Sequence, residues 1–201
     1  MEREYKLSIA DPQTKERLLG DEELLGEKAC RVVMKATYYD TAHLTLGKER
    51  IGLRLRQENG SNVATLKFGG GVDGGLHLRE EVNCEKTTNE LSLDDFPKQK
   101  PWLLDVLGEE ILLPVVQTDI VRYRRILFYG DTRFELALDE GVVLSNGLQE
   151  SICELEIELL TGSLADLDEF VAIRLQGYAL EPEAKSKLQR GLALWQKAKQ
   201  Q

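Results

Sequence analysis

Glu2, Glu4 and Lys6 alternate at the start of the chain, and the same spacing or a multiple of it recurs wherever ionisable residues gather. It links Arg54 with Arg56, Thr65 with Lys67, and His77 with Arg79 and Glu81. It links Arg122 with Arg124, Arg133 with Glu135 and Asp139, and Glu154 with Glu156 and Glu158. In an extended chain, residues i and i+2 share a face, so each set presents a row of charge. Carboxylates at Glu2, Glu4, Asp139, Glu154 and Glu156 suit hard, oxygen-ligated cations such as Mg²⁺ or Mn²⁺. Lys67 and the arginines Arg54, Arg56, Arg79, Arg122 and Arg124 suit phosphate oxygens, which a guanidinium grips bidentately. A polyanion carried with divalent cations satisfies both signs at once.

Strands must hold these rows. Period-two patterning predicts eight, over 2–10, 34–41, 51–58, 62–69, 77–85, 119–129, 131–139 and 151–160. Asn59-Gly60 and Tyr129-Gly130-Asp131 read as tight reversals, and the GGGVDGG run over 69–75 as a flexible loop. Asp11-Pro12 opens a helix, Ser163 with Asp166 caps another, and Glu181-Pro182 opens a last one bearing Leu188, Leu192 and Trp195. A single row of charge would be a solvated sheet face. Seven rows of mixed sign, with apolar helices available for the opposite faces, instead predict an α+β fold: an eight-stranded antiparallel closed β-barrel with a charged interior, a tunnel covered outside by helices.

The chain has 201 residues, 26 Lys+Arg against 35 Asp+Glu and a net charge of −9, so a single domain over 1–201 is expected, with a core that needs no crosslinks. The acidic balance speaks against broad nucleic-acid or anionic-membrane binding. No stretch approaches the length of a membrane span, and no basic-then-apolar leader is visible. Cys30, Cys84 and Cys153 are widely spaced and odd in number, which points to a reducing, cytoplasmic setting rather than a disulfide framework. Cys153 is expected to face the helices, His43 to lie in a loop, and His77 to lie near the tunnel or apart from it.

The ordered motifs resemble the CYTH superfamily, the triphosphate tunnel metalloenzymes. Glu2-Arg3-Glu4-Tyr5-Lys6 fits the ExExK signature, and it is followed by Tyr38-Tyr39-Asp40-Thr41, Gly52-Leu53-Arg54-Leu55-Arg56 and Thr65-Leu66-Lys67. Arg79-Glu80-Glu81, Glu135 to Asp139 and Glu154 to Glu158 complete the order. Gly74-Gly75-Leu76-His77, Thr118-Asp119, Ile152 to Glu156 and Ser186-Lys187 are most similar to bacterial inorganic triphosphatases, which often carry a following CHAD domain; none is expected within residues 1–201. The resemblance implies hydrolysis of inorganic triphosphate to pyrophosphate and phosphate with Mg²⁺ or Mn²⁺. It implies metal ligation by Glu2, Glu4, Glu154 and Glu156, with Asp139 and Glu158 as further candidates. Lys6, Arg54, Arg56, Lys67, Arg79, Arg122 and Arg124 would grip the phosphates, with Lys187 closing one tunnel end and Lys185 as its alternative. Glu4, Lys6, Lys67 and Lys187 would act closest to the chemistry. Arg122-Tyr123-Arg124-Arg125 departs from the family's usual lysine-arginine arrangement, leaving open which arginines face inward.

Thiamine triphosphate or nucleoside triphosphate hydrolysis, or a class IV-type adenylate cyclase, would use the same tunnel. A nucleobase wants an aromatic platform, and Trp102 and Trp195 fall in helical regions. A non-catalytic polyphosphate-binding module would need the cations but not the carboxylates. A monomer or homodimer acting on a small molecule is expected.

Overall fold

The structure, a computed structural model, describes residues 1–200. Nine strands form one antiparallel sheet: β1 (Glu2–Ile9), β2 (Cys30–Asp40), β3 (Gly52–Glu58), β4 (Ser61–Asp73), β5 (Leu76–Lys86), β6 (Leu113–Tyr129), β7 (Thr132–Ser145), β8 (Leu148–Thr161) and β9 (Leu180–Pro182). Their order is β5-β4-β3-β2-β6-β7-β8-β1-β9, and a further β5–β1 pairing closes the first eight into a barrel. β1 shares one edge between two partners: Glu2–Tyr5 pairs with β5, and Leu7–Ile9 with β9.

The expected strands are all present, several longer than patterning indicates. β6 begins at Leu113 rather than 119, and β7 and β8 run on to a turn at Asn146-Gly147, whose φ values of +48° and +79° fit a tight hairpin. The glycine run expected as a loop is largely strand. β4 continues through Asp73, absorbing the extra residues in a register shift between Phe68 and Gly71, so the reversal shrinks to Gly74-Gly75.

Much of the outward surface is apolar and covered by helices, whereas on β2 and β6 the outward Val33, Lys35 and Asp119 are exposed. Helix α1 (Pro12–Gly20) is capped by Asp11, whose carboxylate accepts from the Gln13 and Thr14 N–H groups at 2.9 and 3.0 Å. Leu18 of α1 and Leu167 and Phe170 of α4 (Leu164–Arg174) pack with Leu136, Leu138, Leu155 and Ile157. Helices α2 (Thr45–Lys48) and α3 (Lys100–Leu107) cover the β3–β4 side, where Leu46 and Leu103 meet Leu53, Leu55 and Leu66. Helix α5 (Lys187–Ala198) behaves differently: Leu188, Leu192 and Trp195 pack against a cluster holding Met34, Ala36, Tyr38 and Ile120, which themselves line the tunnel. It therefore packs across part of one barrel end and leaves an opening bordered by Gly52 and Arg79.

The start of this last helix corrects the sequence expectation. Leu180–Pro182 is the edge strand β9, and α5 begins five residues after Pro182. Ser186 caps it, accepting from the Gln189 N–H at 3.3 Å while Gln189 Oε1 accepts from the Ser186 N–H at 2.8 Å. This reciprocal box outweighs the proline signal, because β1 has a free edge that Leu180–Pro182 fills and an edge strand tolerates proline.

Candidate active site

Alternation delivers the charged rows to one cavity of about 300 Å³. From β1 come Glu2, Glu4 and Lys6; from β3 Arg54 and Arg56; from β4 Lys67; from β5 Arg79. β6 adds Arg122 and Arg124, β7 Asp139, β8 Glu156 and Glu158, and α5 Lys187. Glu154 is fully buried just behind this lining, in contact with Lys187. Lys185 is exposed before α5, its backbone N–H donating to Glu183, so of the two candidate lysines only Lys187 reaches inward.

The sixth-strand ambiguity resolves by parity. Arg122 and Arg124 line the tunnel, whereas Arg125 points outward and donates to the carbonyls of Glu22, Leu24 and Leu25. His77 is buried but does not line the tunnel; its Nε2 contacts the Glu183 carbonyl at 2.9 Å. His43 lies in a loop beside Glu110, 2.6 Å away. Cys153 packs against the outer core, as expected, and burial pushes its thiol up to about 11.

At the α5 end, Asp139, Glu154 and Glu156 bring carboxylate oxygens within 4.8 Å of one another. Register explains the meeting: Asp139 stands opposite Glu154, and Glu156 opposite Lys6. Lys187 reaches all three, at 2.7 Å from Asp139 and 2.9 Å from Glu156, and in close contact with Glu154. Arg122 grips Asp139 through two 2.7 Å bonds and also contacts Glu156. Burial pushes the Glu156 and Asp139 carboxyls up, but the cations outweigh it. Lys187, Lys6 and Arg122 hold Glu156 well below the usual range, and Arg122 with Lys187 lowers Asp139. For Glu154 burial prevails and the carboxyl is raised.

A second group lies along β1. Lys67 bonds both oxygens of Glu2, at 2.6 and 2.8 Å, and lies 2.6 Å from Glu81. Lys6 is 3.0 Å from Glu4 and in close contact with Glu156. Glu158, opposite both Glu4 and Glu135 in the ladder, has no such cation; burial, reinforced by Glu2 and Glu4, pushes it to about 7.

Some site residues were given no role from the sequence, although Tyr38 and Thr65 stand in its motifs. Tyr38 lines the tunnel under the Arg54 guanidinium, 5.9 Å from ring centroid to carbon. Thr65 accepts from Arg54 at 3.2 Å and donates to Asn83 at 2.7 Å. Arg190, one turn beyond Lys187, binds Glu150 at 2.7 Å and the Ser151 carbonyl at 2.9 Å and lies 3.5 Å from Glu154. Period-two parity already sets Thr65 beside Lys67 and extends to Tyr38 and Asn83; Arg190 required the helix register. Asp40, within the Tyr38–Thr41 motif, is structural: its carboxylate accepts from the N–H groups of Leu46 and Gly47, each at 2.8 Å, anchoring α2.

The fold is a closed antiparallel barrel whose interior carries both cations and carboxylates. The CYTH domain profile matches residues 1–192, and the chain belongs to the CYTH family. A relative from Haemophilus influenzae named inorganic triphosphatase is 32% identical over 166 residues, 80% of this chain and 46% of the relative; the chain thus spans about half the length of that protein. Among solved structures, a putative adenylyl cyclase from Hippeastrum, HpAC1, described as having a dominant triphosphatase activity, superposes with a TM-score of 0.65. It is 20% identical, with 97% of each chain covered. A putative adenylate cyclase from Bacillus halodurans gives 0.62 at 19% identity, over 93% of this chain and 95% of that one. At such identities the two structures speak for the fold.

Proposed function

We propose that this chain is a triphosphatase that hydrolyses inorganic triphosphate to pyrophosphate and phosphate, with a divalent metal, inside the barrel. The observation that carries this reading is the pair of arginines on β3. Arg54 Nε and Arg56 Nε are buried with no hydrogen-bond partner among the described residues, although both side chains line the tunnel. Buried N–H groups demand an acceptor, and phosphate oxygens supply it. The Haemophilus relative, named an inorganic triphosphatase, and HpAC1, described as having a dominant triphosphatase activity, support the same class of activity.

The carboxylates fit a hard divalent ion. Asp139, Glu154 and Glu156 converge, and Glu154 Oε2 is buried without a hydrogen-bond donor. These three would hold the ion, with Glu2, Glu4 and Glu158 as the further set on the adjoining strands. Mg²⁺ or Mn²⁺ there would neutralise phosphate charge and acidify a bound water. The protein's own part is positional. Arg54 and Arg56 fix the chain from β3, Lys6 and Lys67 meet it from β1 and β4, and Arg79, Arg122 and Arg124 complete the cationic wall. These preset donors stabilise the charge that builds on the transferred phosphoryl group and on the departing pyrophosphate. The water oxygen bonds to a terminal phosphorus as the bridging P–O bond breaks, and no protein nucleophile is required. Cytoplasmic residence fits the three free cysteines, and no helix among the described residues is long and apolar enough to cross a membrane.

The deciding experiment is phosphate release from tripolyphosphate, ATP, thiamine triphosphate and pyrophosphate with Mg²⁺, Mn²⁺ or EDTA, together with a cyclic AMP assay. Metal-dependent release from tripolyphosphate above the others is expected, and its loss in Glu4→Gln with the fold retained. Intact tripolyphosphate would remove the hydrolytic reading, and cyclic AMP formation would replace it.

A further inference from the structure

Arg50 occupies a position that favours glycine. It closes the single turn of α2: its N–H donates to the Gly47 carbonyl at 3.1 Å, and the following N–H, of Ile51, donates to Leu46 at 2.9 Å. In this Schellman ending the residue past the cap takes the left-handed conformation, usually as glycine. Arg50 adopts it with φ +58°, which costs any residue bearing a Cβ. Backbone strain of this kind gathers where a side chain must be held in a set place. A four-residue helix has too small a dipole to call for a cation at its end.

The place is the tunnel mouth beside α5. A cavity of about 320 Å³ there is bordered by Arg50, Gly52, Gly70, Arg79 and Gln189, and it shares Gly52, Arg79, Ser186 and Leu188 with the tunnel. Arg50 and Arg79 are its charged lining residues, and no carboxylate borders it. Neither arginine has an ion-pair partner among the described residues; Arg79 contacts His77 Nδ1 at 3.4 Å. The other mouth is balanced: Arg124 lies 3.0 Å from Glu58, and Arg56 lies 3.4 Å from the same carboxylate. The wall at Gly70 is bare backbone, since a Cβ there would come within 1.6 Å of the Leu78 carbonyl oxygen.

We propose that this cationic mouth binds the phosphates beyond the third in a linear inorganic polyphosphate, and that Arg50 sets the preference for chain length. The proposal rests on reading the tunnel as a phosphate-chain site. A fourth phosphate emerging past Gly52 meets two guanidinium groups, each able to bind it bidentately, and no carboxylate to repel it.

Arg50→Gly is the informative variant, because glycine keeps the turn and relieves its strain. With tripolyphosphate and tetrapolyphosphate as substrates, the ratio of kcat/KM for the longer to the shorter chain should fall about fivefold or more in the variant, one guanidinium–phosphate contact being lost. Thermal stability should equal or exceed that of the wild type. An unchanged ratio overturns the proposal. Calorimetric binding of both chains to the metal-free protein separates this from the hydrolytic reading. Wild type should bind tetrapolyphosphate more tightly than tripolyphosphate, and Arg50→Gly should lose the difference. Equal binding by wild type overturns the subsite; a retained difference without turnover counts against hydrolysis alone.

Discussion

The Lys187 ammonium lies 2.7 Å from the Asp139 carboxylate, inside the same trio of carboxylates that converge closely enough to hold a metal. An ammonium and a divalent ion cannot both occupy that point. Lys187 is a built-in counter-ion for the trio, and a metal entering there must displace it toward the phosphate chain. Lys187→Met should therefore bind Mn²⁺ more tightly in the absence of substrate, by about tenfold, or about 1.4 kcal/mol. The metal-free variant, with the buried carboxylates compensated only in part by Arg122, Lys6 and Arg190, should lose thermal stability and regain it on adding Mn²⁺. Calorimetry and thermal melts read both effects; equal or weaker Mn²⁺ binding would show that the lysine does not compete.

Glu158 predicts a pH dependence. Its carboxyl is raised to about 7 by burial and by Glu2 and Glu4, so between the ordinary carboxylate value and 7 the folded protein holds a proton that the unfolded chain has released. Stability from this group is therefore fully present at low pH and is lost as pH rises through that window. Glu158→Gln, which cannot ionise, should flatten the decline in Tm of the metal-free protein between about pH 4.5 and 7. An identical slope in the two proteins would place the titration elsewhere.

Gly191 controls how closely α5 seats. A Cβ there would approach Val116 Cγ1 to 2.2 Å, so Gly191→Ala must push the helix off the β6 wall despite alanine's better helix propensity. The expected loss is about 1–3 kcal/mol in denaturant unfolding. Because Lys187 rides on the same helix, kcat for tripolyphosphate should also fall. A variant as stable and active as wild type would mean that α5 adjusts without moving its first turn.

Much of the site was legible because β-strands write their faces into every second residue. The rows at Glu2–Lys6, Arg54–Arg56 and Glu154–Glu158 needed no tertiary information to be assigned a common side. What alternation does not encode is depth along the barrel. The gathering of Asp139 with Glu154 and Glu156, apart from Glu158, follows from the β7–β8 and β8–β1 registers. Nor does it encode competition between signals, as at Pro182, where a free strand edge won over a helix start. Arg190 was hidden for a related reason: its hydrogen-bond partners Glu150 and Ser151 lie 39 or more positions away, on β8.

The divided edge of β1 bears on how the molecule assembles. β1 is the seam at which the barrel closes, joined on one side to β8 and on the other to both β5 and β9. Its partners span sequence separations from about seventy to about one hundred and seventy residues, and contacts so remote carry the largest loop-closure entropy and form slowly. The Glu2, Glu4 and Lys6 row is complete only when both edges of β1 have found these distant partners. Without β1 the sheet has no closure, so the tunnel, and with it the meeting of the charged rows from β3 to β8, exists only through that one strand.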